Sequence, residues 1–176
     1  AVRPGVLVMS LGTSGTMFAQ AEHAVVDPAG EIAAFCDATG HWLPLLCTQN
    51  CTTVTEEVRA GSGLDHEELT ALAARVQPGC GGVSFLPYLS GERTPNWPTA
   101  SGALIGLREG SLQPGVLYRA AMEGASFALA AGLERLRSLG VSTDELRLVG
   151  GGSKNSLWFS RLFFPAVRQR VLYTAL

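Results

Sequence analysis

Val6-Leu7-Val8-Met9-Ser10-Leu11-Gly12-Thr13-Ser14-Gly15 sets the reading of the whole chain. Val6 to Leu11 is apolar but for Ser10, too short for a helix, and stops at glycine. That pattern predicts a buried strand ending in a tight loop. Thr16 to Gln20 resumes with strand-forming residues, so the two segments predict a hairpin. Asp27-Pro28-Ala29-Gly30 has turn chemistry, and Ile32 to Cys36 offers a third strand. Three consecutive strands with short connections predict an antiparallel meander.

Helical periodicity takes over near Cys51. Thr52 to Val58 leads to Gly61 and Gly63, read together as the stop. Asp65, with Glu68 three residues on, predicts a capping box opening a second helix. Leu69, Leu72, Ala73 and Val76 would be its buried face, and Pro78-Gly79 its end. Val83 to Leu89 is another apolar run, and Ala103 to Leu107 a short strand. Pro114 to Leu139 is the longest helix candidate, with Pro114 suited to a first helical position and Gly140 to a terminal cap. Met122, Ala125, Leu129, Leu133 and Leu136 recur at helical steps, so this helix should be central. Leu146 to Val149 predicts a strand, Ser156 to Phe164 a helix stopped by Pro165, and Val171 to Thr174 a last strand. Strands first, then helices alternating with strands, predict a mixed α/β layer fold.

With 176 residues, 47% of them apolar, the chain can bury a core without staples. A net charge of −2 gives no electrostatic reason to expect nucleic acid or an anionic membrane as partner. No apolar run reaches the roughly 18 residues of a spanning helix. Cys36, Cys47, Cys51 and Cys80 form no CxxC pair, and the three histidines are scattered, so no metal site is expected. The cysteines read as buried free thiols of a reducing compartment.

Two glycine-containing loops follow strands: Gly12-Thr13-Ser14-Gly15 and Gly150-Gly151-Gly152-Ser153-Lys154-Asn155. Glycine lets backbone approach an anion closely, and successive amides with Ser and Thr hydroxyls can surround one. On glycine usage alone, each loop reads first as a tight turn. Neither has the Gly-Lys-Ser/Thr ending of a P-loop or the GxGxxG dinucleotide pattern.

Taken in order, these segments resemble the FGGY carbohydrate kinases. Met9 to Gly15 looks like their phosphate-binding segment, and Val149 to Trp158 like their adenosine-binding segment. Between them, Gly102 to Leu107 followed by Leu117 to Gly124 resembles the family's carboxy-terminal signature; Val116 departs from it, standing where a polar capping residue is usual. Leu89-Ser90-Gly91-Glu92-Arg93-Thr94-Pro95-Asn96-Trp97, His41 to Thr48 and Val54 to Arg59 are most similar to the xylulokinase branch. The resemblance implies a ribonuclease-H/actin-like ATPase fold, as the carboxy-terminal domain of a two-domain sugar kinase. It implies residues 1–162 as that domain, in part, and 163–176 as a divergent or truncated tail.

The implied reaction is ATP-dependent phosphorylation of a ketopentose, D-xylulose to D-xylulose 5-phosphate, by a full-length parent. Alternatives are a kinase for ribulose, glycerol or gluconate, or an isolated non-catalytic nucleotide-binding fragment. The implied cofactors are ATP and Mg2+. The implied parent is cytoplasmic, with an organelle left open, and homodimeric. Gly12 and Thr13 would contact the ATP phosphates; Gly151, Gly152 and Asn155 would line adenine and ribose. Lys154 is expected to be solvated. Glu92 and Arg93 are expected to pair with each other and fix their loop. No catalytic residue is assigned: the family's aspartate would lie upstream of Ala1, and the chain is expected to be incomplete at both ends.

Overall fold

A computed structural model of the protein describes residues 3–158 and the backbone of one further strand, 170–173. The expected helix past Trp158 and the expected tail otherwise lie outside the described residues.

Strands β1 (Gly5–Leu11) and β2 (Gly15–Ala19) form the predicted hairpin, with Leu11 opposite Gly15. β3 (Ile32–Cys36) and β4 (Trp42–Thr48) follow, then helices α1 (Thr52–Ser62) and α2 (His66–Ala73). A small ribbon of β5 (Ser84–Leu86) and β6 (Ala103–Ile105) precedes the long helix α3 (Pro114–Ser138). β7 (Thr143–Val149) and β8 (Arg170–Tyr173) complete the described elements. The main sheet has the order β3-β4-β2-β1-β7-β8. β1 is antiparallel to β2 and parallel to β7, which is parallel to β8.

The meander expectation is corrected by this order. β4, given no strand assignment in the sequence, pairs with β2 through Phe18 and Leu45, displacing β3 to the edge. Burial explains the exchange. β4 sends Leu46 and Thr48 fully inside, whereas β3 buries Ile32 and leaves Phe35 half exposed. The strand with more to hide takes the inner position.

One face of the sheet meets α3. Met122, Ala125, Leu129, Leu133 and Leu136 are buried, as their spacing predicts, in one cluster with Leu7, Met9, Leu11, Met17 and Leu46. Close approach needs Gly132, where an added Cβ would lie 2.5 Å from Leu46 Cδ1. Pro114 occupies the first turn. Val116, in the first turn too, is half-buried against Cys80, Val83 and Ala120. Packing therefore occupies the place where a polar residue was expected.

The predicted capping box is present: Asp65 accepts from the Glu68 amide, and Glu68 from the Asp65 amide. Other helix details differ from expectation. Gly61 lies inside α1, and Gly63, at φ 72°, is the one that ends it. α2 stops at Ala73, which leaves Val76 outside the helix, and Leu72, expected on its buried face, is exposed. Cys51 and Cys80 are buried free thiols, but Cys47 is half-buried and Cys36 is exposed on edge strand β3.

Two ion pairs, one buried and one with only its carboxylate buried, brace α3. Arg119 Nε lies 2.8 Å from Glu123 Oε1, Arg119 Nη1 donates to the Ala73 carbonyl, and Glu123 accepts from the Gly79 amide. Together they tie α3 to the end of α2. Asp27, with no exposed side-chain surface, pairs with Arg135 and accepts from the amides of Ala29, Glu31 and Ile32. This fixes the long β2–β3 connection on α3. Arg135 is the largest cause holding the Asp27 carboxyl down, from 3.8 to about 2.

Because the folded value lies below the unfolded one, Asp27 stabilises the fold above pH 4, and that contribution is lost as pH falls toward 2. Urea denaturation of Asp27→Asn should show a deficit of about 2 kcal/mol at pH 7. The gap to wild type should shrink below pH 4; a deficit independent of pH would show that charge is not what Asp27 contributes.

Candidate functional site

The β1–β2 turn and the segment after β7 meet because β1 and β7 are paired in parallel, so both strands end on the same edge. Gly150 lets the second loop cross β1. Its φ is +91°, and an added Cβ would lie 2.7 Å from the Leu11 carbonyl oxygen. Gly151 to Lys154 then form a short 3-10 turn.

Gly12, Thr13, Gly151, Gly152 and Asn155 all line one cleft of roughly 1180 Å³. α1 and α2 supply its opposite wall, through Thr52, Glu56, His66 and Thr70 among others, and Tyr118 of α3 adds to it. The five residues separated by more than a hundred positions are thus brought together. Sequence reasoning missed the α1–α2 wall. Its residues carry no loop signature, since they are ordinary helix positions that face the cleft only once the helices are placed.

The β1–β2 turn is held from behind. The Thr52 amide donates to the Gly12 carbonyl and the Cys51 amide to the Thr13 carbonyl, both at 2.9 Å. Thr53 Oγ1 also donates to the Thr13 carbonyl, and Ser14 Oγ to the Gln49 carbonyl. The Gly12 and Thr13 carbonyls thus turn toward the start of α1, and in a trans peptide the amide of the same unit points the opposite way. The amides of Thr13 and Ser14 have no acceptor among the described residues, and Thr13 is exposed. Gly12 is open as well: an added Cβ would meet only the Ser14 carbonyl oxygen, at 3.4 Å. An added Cβ at Gly151 would meet nothing within 4 Å. Lys154 is exposed at the rim and makes no ion pair among the described residues. Free amides, bare glycines and one cation suit a polyanion with a flat, apolar-tolerant end.

Asn155 is more committed than expected. Its Oδ1 accepts from the amides of Leu157 and Trp158, capping the turn that follows. Its Nδ2 donates to Thr70 Oγ1 at 2.8 Å, and Thr70 Oγ1 donates to the His66 carbonyl. Asn155 therefore clasps the loop to α2, and its side-chain amide also reaches the Tyr118 hydroxyl. Trp158 Nε1 bonds Ser126 Oγ on α3, anchoring the same turn.

A polar relay borders the cleft. His66 Nε2 lies 2.7 Å from Glu56 Oε1, and His66 Nδ1 lies 2.8 Å from the Tyr118 hydroxyl. A carboxylate accepts only, so Nε2 carries the proton, and in the neutral ring Tyr118 donates to Nδ1. Arg59 first, then His66, holds the Glu56 carboxyl below its usual range, while burial chiefly pushes the Tyr118 hydroxyl up. Among the described residues no three His, Cys, Asp or Glu side chains converge as a metal cage. No helix among them is long and apolar enough to cross a membrane.

The expected Glu92–Arg93 pair is not formed. Glu92 is 2% exposed. Its carboxylate accepts from the Gln49 and Arg93 amides and from Asn50 Nδ2, while the Arg93 guanidinium reaches Cys47 Sγ at 3.7 Å. The loop is fixed as expected, but by amides rather than by a cation.

Comparison with known proteins follows the same geometry. Residues 7–162 match the C-terminal domain of the FGGY family of carbohydrate kinases. A xylulose kinase from Streptomyces rubiginosus is 46% identical over 158 residues, covering 89% of this chain and 31% of that protein. One from Haemophilus influenzae is 38% identical over 157 residues, again 89% of this chain and 32% of its own length. The crystal structure of xylulose kinase from Bifidobacterium adolescentis superposes with a TM-score of 0.87 at 37% identity, over 99% of this chain and 34% of that one. The chain thus spans about a third of the length of the relatives it matches.

The two loop glycines should separate structural from ligand-facing demands. Gly150→Ala should lose on the order of 2 kcal/mol in chemical denaturation, from positive φ and contact with Leu11. Gly151→Ala should stay within about 0.5 kcal/mol of wild type. Equal losses would contradict this assignment of spacing to Gly150.

Proposed function

Because the chain belongs to the FGGY family of carbohydrate kinases, we propose that it is the nucleotide-side domain of an ATP-dependent ketopentose kinase, forming D-xylulose 5-phosphate from D-xylulose. The single observation supporting this most is the convergence of Gly12, Thr13, Gly151, Gly152 and Asn155 on one cleft. In the proposal, residues 1–162 make up this domain and 163–176 a divergent tail. The parent is a cytoplasmic homodimer using ATP with Mg2+.

Bound ATP supplies the phosphoryl group that passes to a sugar hydroxyl. Thr13 and Ser14 present amides to the phosphates, where negative charge accumulates during transfer. Gly12 keeps that approach free of side chain. Gly151 and Gly152 offer flat backbone to adenine and ribose, Asn155 lies beside them holding the loop against α2, and Lys154 adds a solvated cation at the rim. Transfer in line needs a carboxylate to accept the hydroxyl proton. Glu56 does not suit that role, being engaged by Arg59 and His66. The proposal assigns the base and the sugar contacts to the greater part of a relative-sized enzyme that this chain does not span.

A second reading has one observation in its favour. The two carboxylates that line the described cleft, Glu56 and Glu67, both stand on α1 and α2, and the β1–β2 turn itself carries none. On that reading the chain by itself binds nucleotide without turnover.

Two measurements test these readings. A completed enzyme assayed against ketoses, glycerol and gluconate should prefer xylulose; preference for another acceptor would overturn the sugar assignment. Gly12→Val should weaken ATP binding about tenfold or more, with little change in melting temperature, because a Cβ there meets little protein. Unchanged affinity would reduce the loop to a turn.

A further inference from the structure

Glu92 is the one buried carboxylate in its loop with no cationic partner among the described residues, and its hydrogen bonds lead toward the cleft. Removing a carboxylate from water without a counter-charge is costly unless donors replace the solvent. Here three N–H groups do so. Gln49 and Arg93 amides converge on Oε1, and Asn50 Nδ2 lies 3.3 Å from Oε2. The same Asn50 Nδ2 donates to the Gly91 carbonyl at 2.7 Å. The loop is closed on itself by paired backbone bonds between Glu92 and Trp97, and Thr94 Oγ1 adds a bond to the Cys47 carbonyl. The carboxylate is therefore a rigid peg set into the joint between β4 and α1.

That joint continues directly into the β1–β2 turn. Gln49, whose amide Glu92 holds, accepts from Ser14 Oγ through its own carbonyl. Asn50 is followed by Cys51 and Thr52, whose amides hold the carbonyls of Thr13 and Gly12. Upstream, Thr48 Oγ1 accepts from the Gly15 amide. Each residue from Gly12 to Gly15 is thus fastened to the segment 48–52, and Glu92 fastens the middle of that segment.

We infer that Glu92 is a positioning residue for the β1–β2 turn, aiming the Thr13 and Ser14 amides into the cleft through the Gln49–Asn50 joint. Its consequence for nucleotide rests on the phosphate-binding reading above. The carboxylate form is required by donor count. A glutamine could keep one oxygen for Gln49 and Arg93, but its NH2 would then face the NH2 of Asn50. Asn50 would have to turn over and give up the Gly91 carbonyl.

Site-resolved amide exchange on the whole chain, with ADP titration, tests this. In Glu92→Gln, exchange at Cys51 and Thr52 should quicken at least tenfold while amides of the β1–β7 ladder stay within twofold. ADP affinity should fall about tenfold. Arg93→Ala should change neither quantity, since the guanidinium only touches Cys47 Sγ. Exchange at Cys51 and Thr52 within twofold of wild type would overturn the inference, as would quickening spread evenly over the sheet. If Glu92→Gln does not fold, Asn50→Ser, which removes one arm of the clasp, is judged by the same exchange criterion. A wild-type chain that fails to bind ADP would sink the nucleotide reading, while the exchange data would still judge Glu92.

Discussion

Two carbonyls, those of Gly12 and Thr13, accept the amides that open α1, and much of the molecule is arranged around that joint. A helix start leaves amides without partners, and the Cys51 thiol caps none of them. The β1–β2 turn supplies the missing acceptors. In doing so it must direct its own carbonyls toward the helix, and its amides are left facing the other way. The demand of one element for acceptors thus creates donors at the surface of another. A turn satisfying its own hydrogen bonds would give the cleft nothing to offer an anion.

What could be read from the residues was whatever depends on neighbours in sequence. The first hairpin, the Asp65–Glu68 box and the buried stripe of α3 are local patterns, and each stands where its pattern puts it. The glycine loops were legible as candidates, and their order along the chain made the family legible. What failed depends on distant partners. β4 enters between β2 and β3 because Leu46 has a better place inside than anything on β3, a comparison that involves α3 nearly ninety residues away. Glu92 bonds to backbone amides, which every residue but proline carries, so its true partners left no trace in residue type. The nearest opposite charge was the visible choice and the wrong one. Asn155 lines the cleft, yet its side chain is largely spent on Thr70 and on the next turn.

Buried charge is used here to locate segments rather than to add net stability. Arg119–Glu123 fixes α2 and the Gly79 turn against α3, and Asp27–Arg135 fixes the β2–β3 connection against the same helix. An ion pair out of water roughly offsets its own desolvation, whereas a mismatched arrangement is penalised heavily. Such pairs therefore discriminate among packings of the same apolar surfaces. α3, lined with alanine and glycine, needs that discrimination, since small side chains alone leave its rotation and height loosely defined.

Gly150 passes so near Leu11 that a single extra carbon would collide with it. The gap between the two cleft loops is consequently set by an atom that is not there. Side chains on the cleft wall can be exchanged without altering that gap. A larger residue at position 150 would instead open the jaw itself, changing the reach across which one molecule must touch both loops at once. Ligand choice and ligand length are thereby governed by separate parts of the chain, and they are free to vary independently.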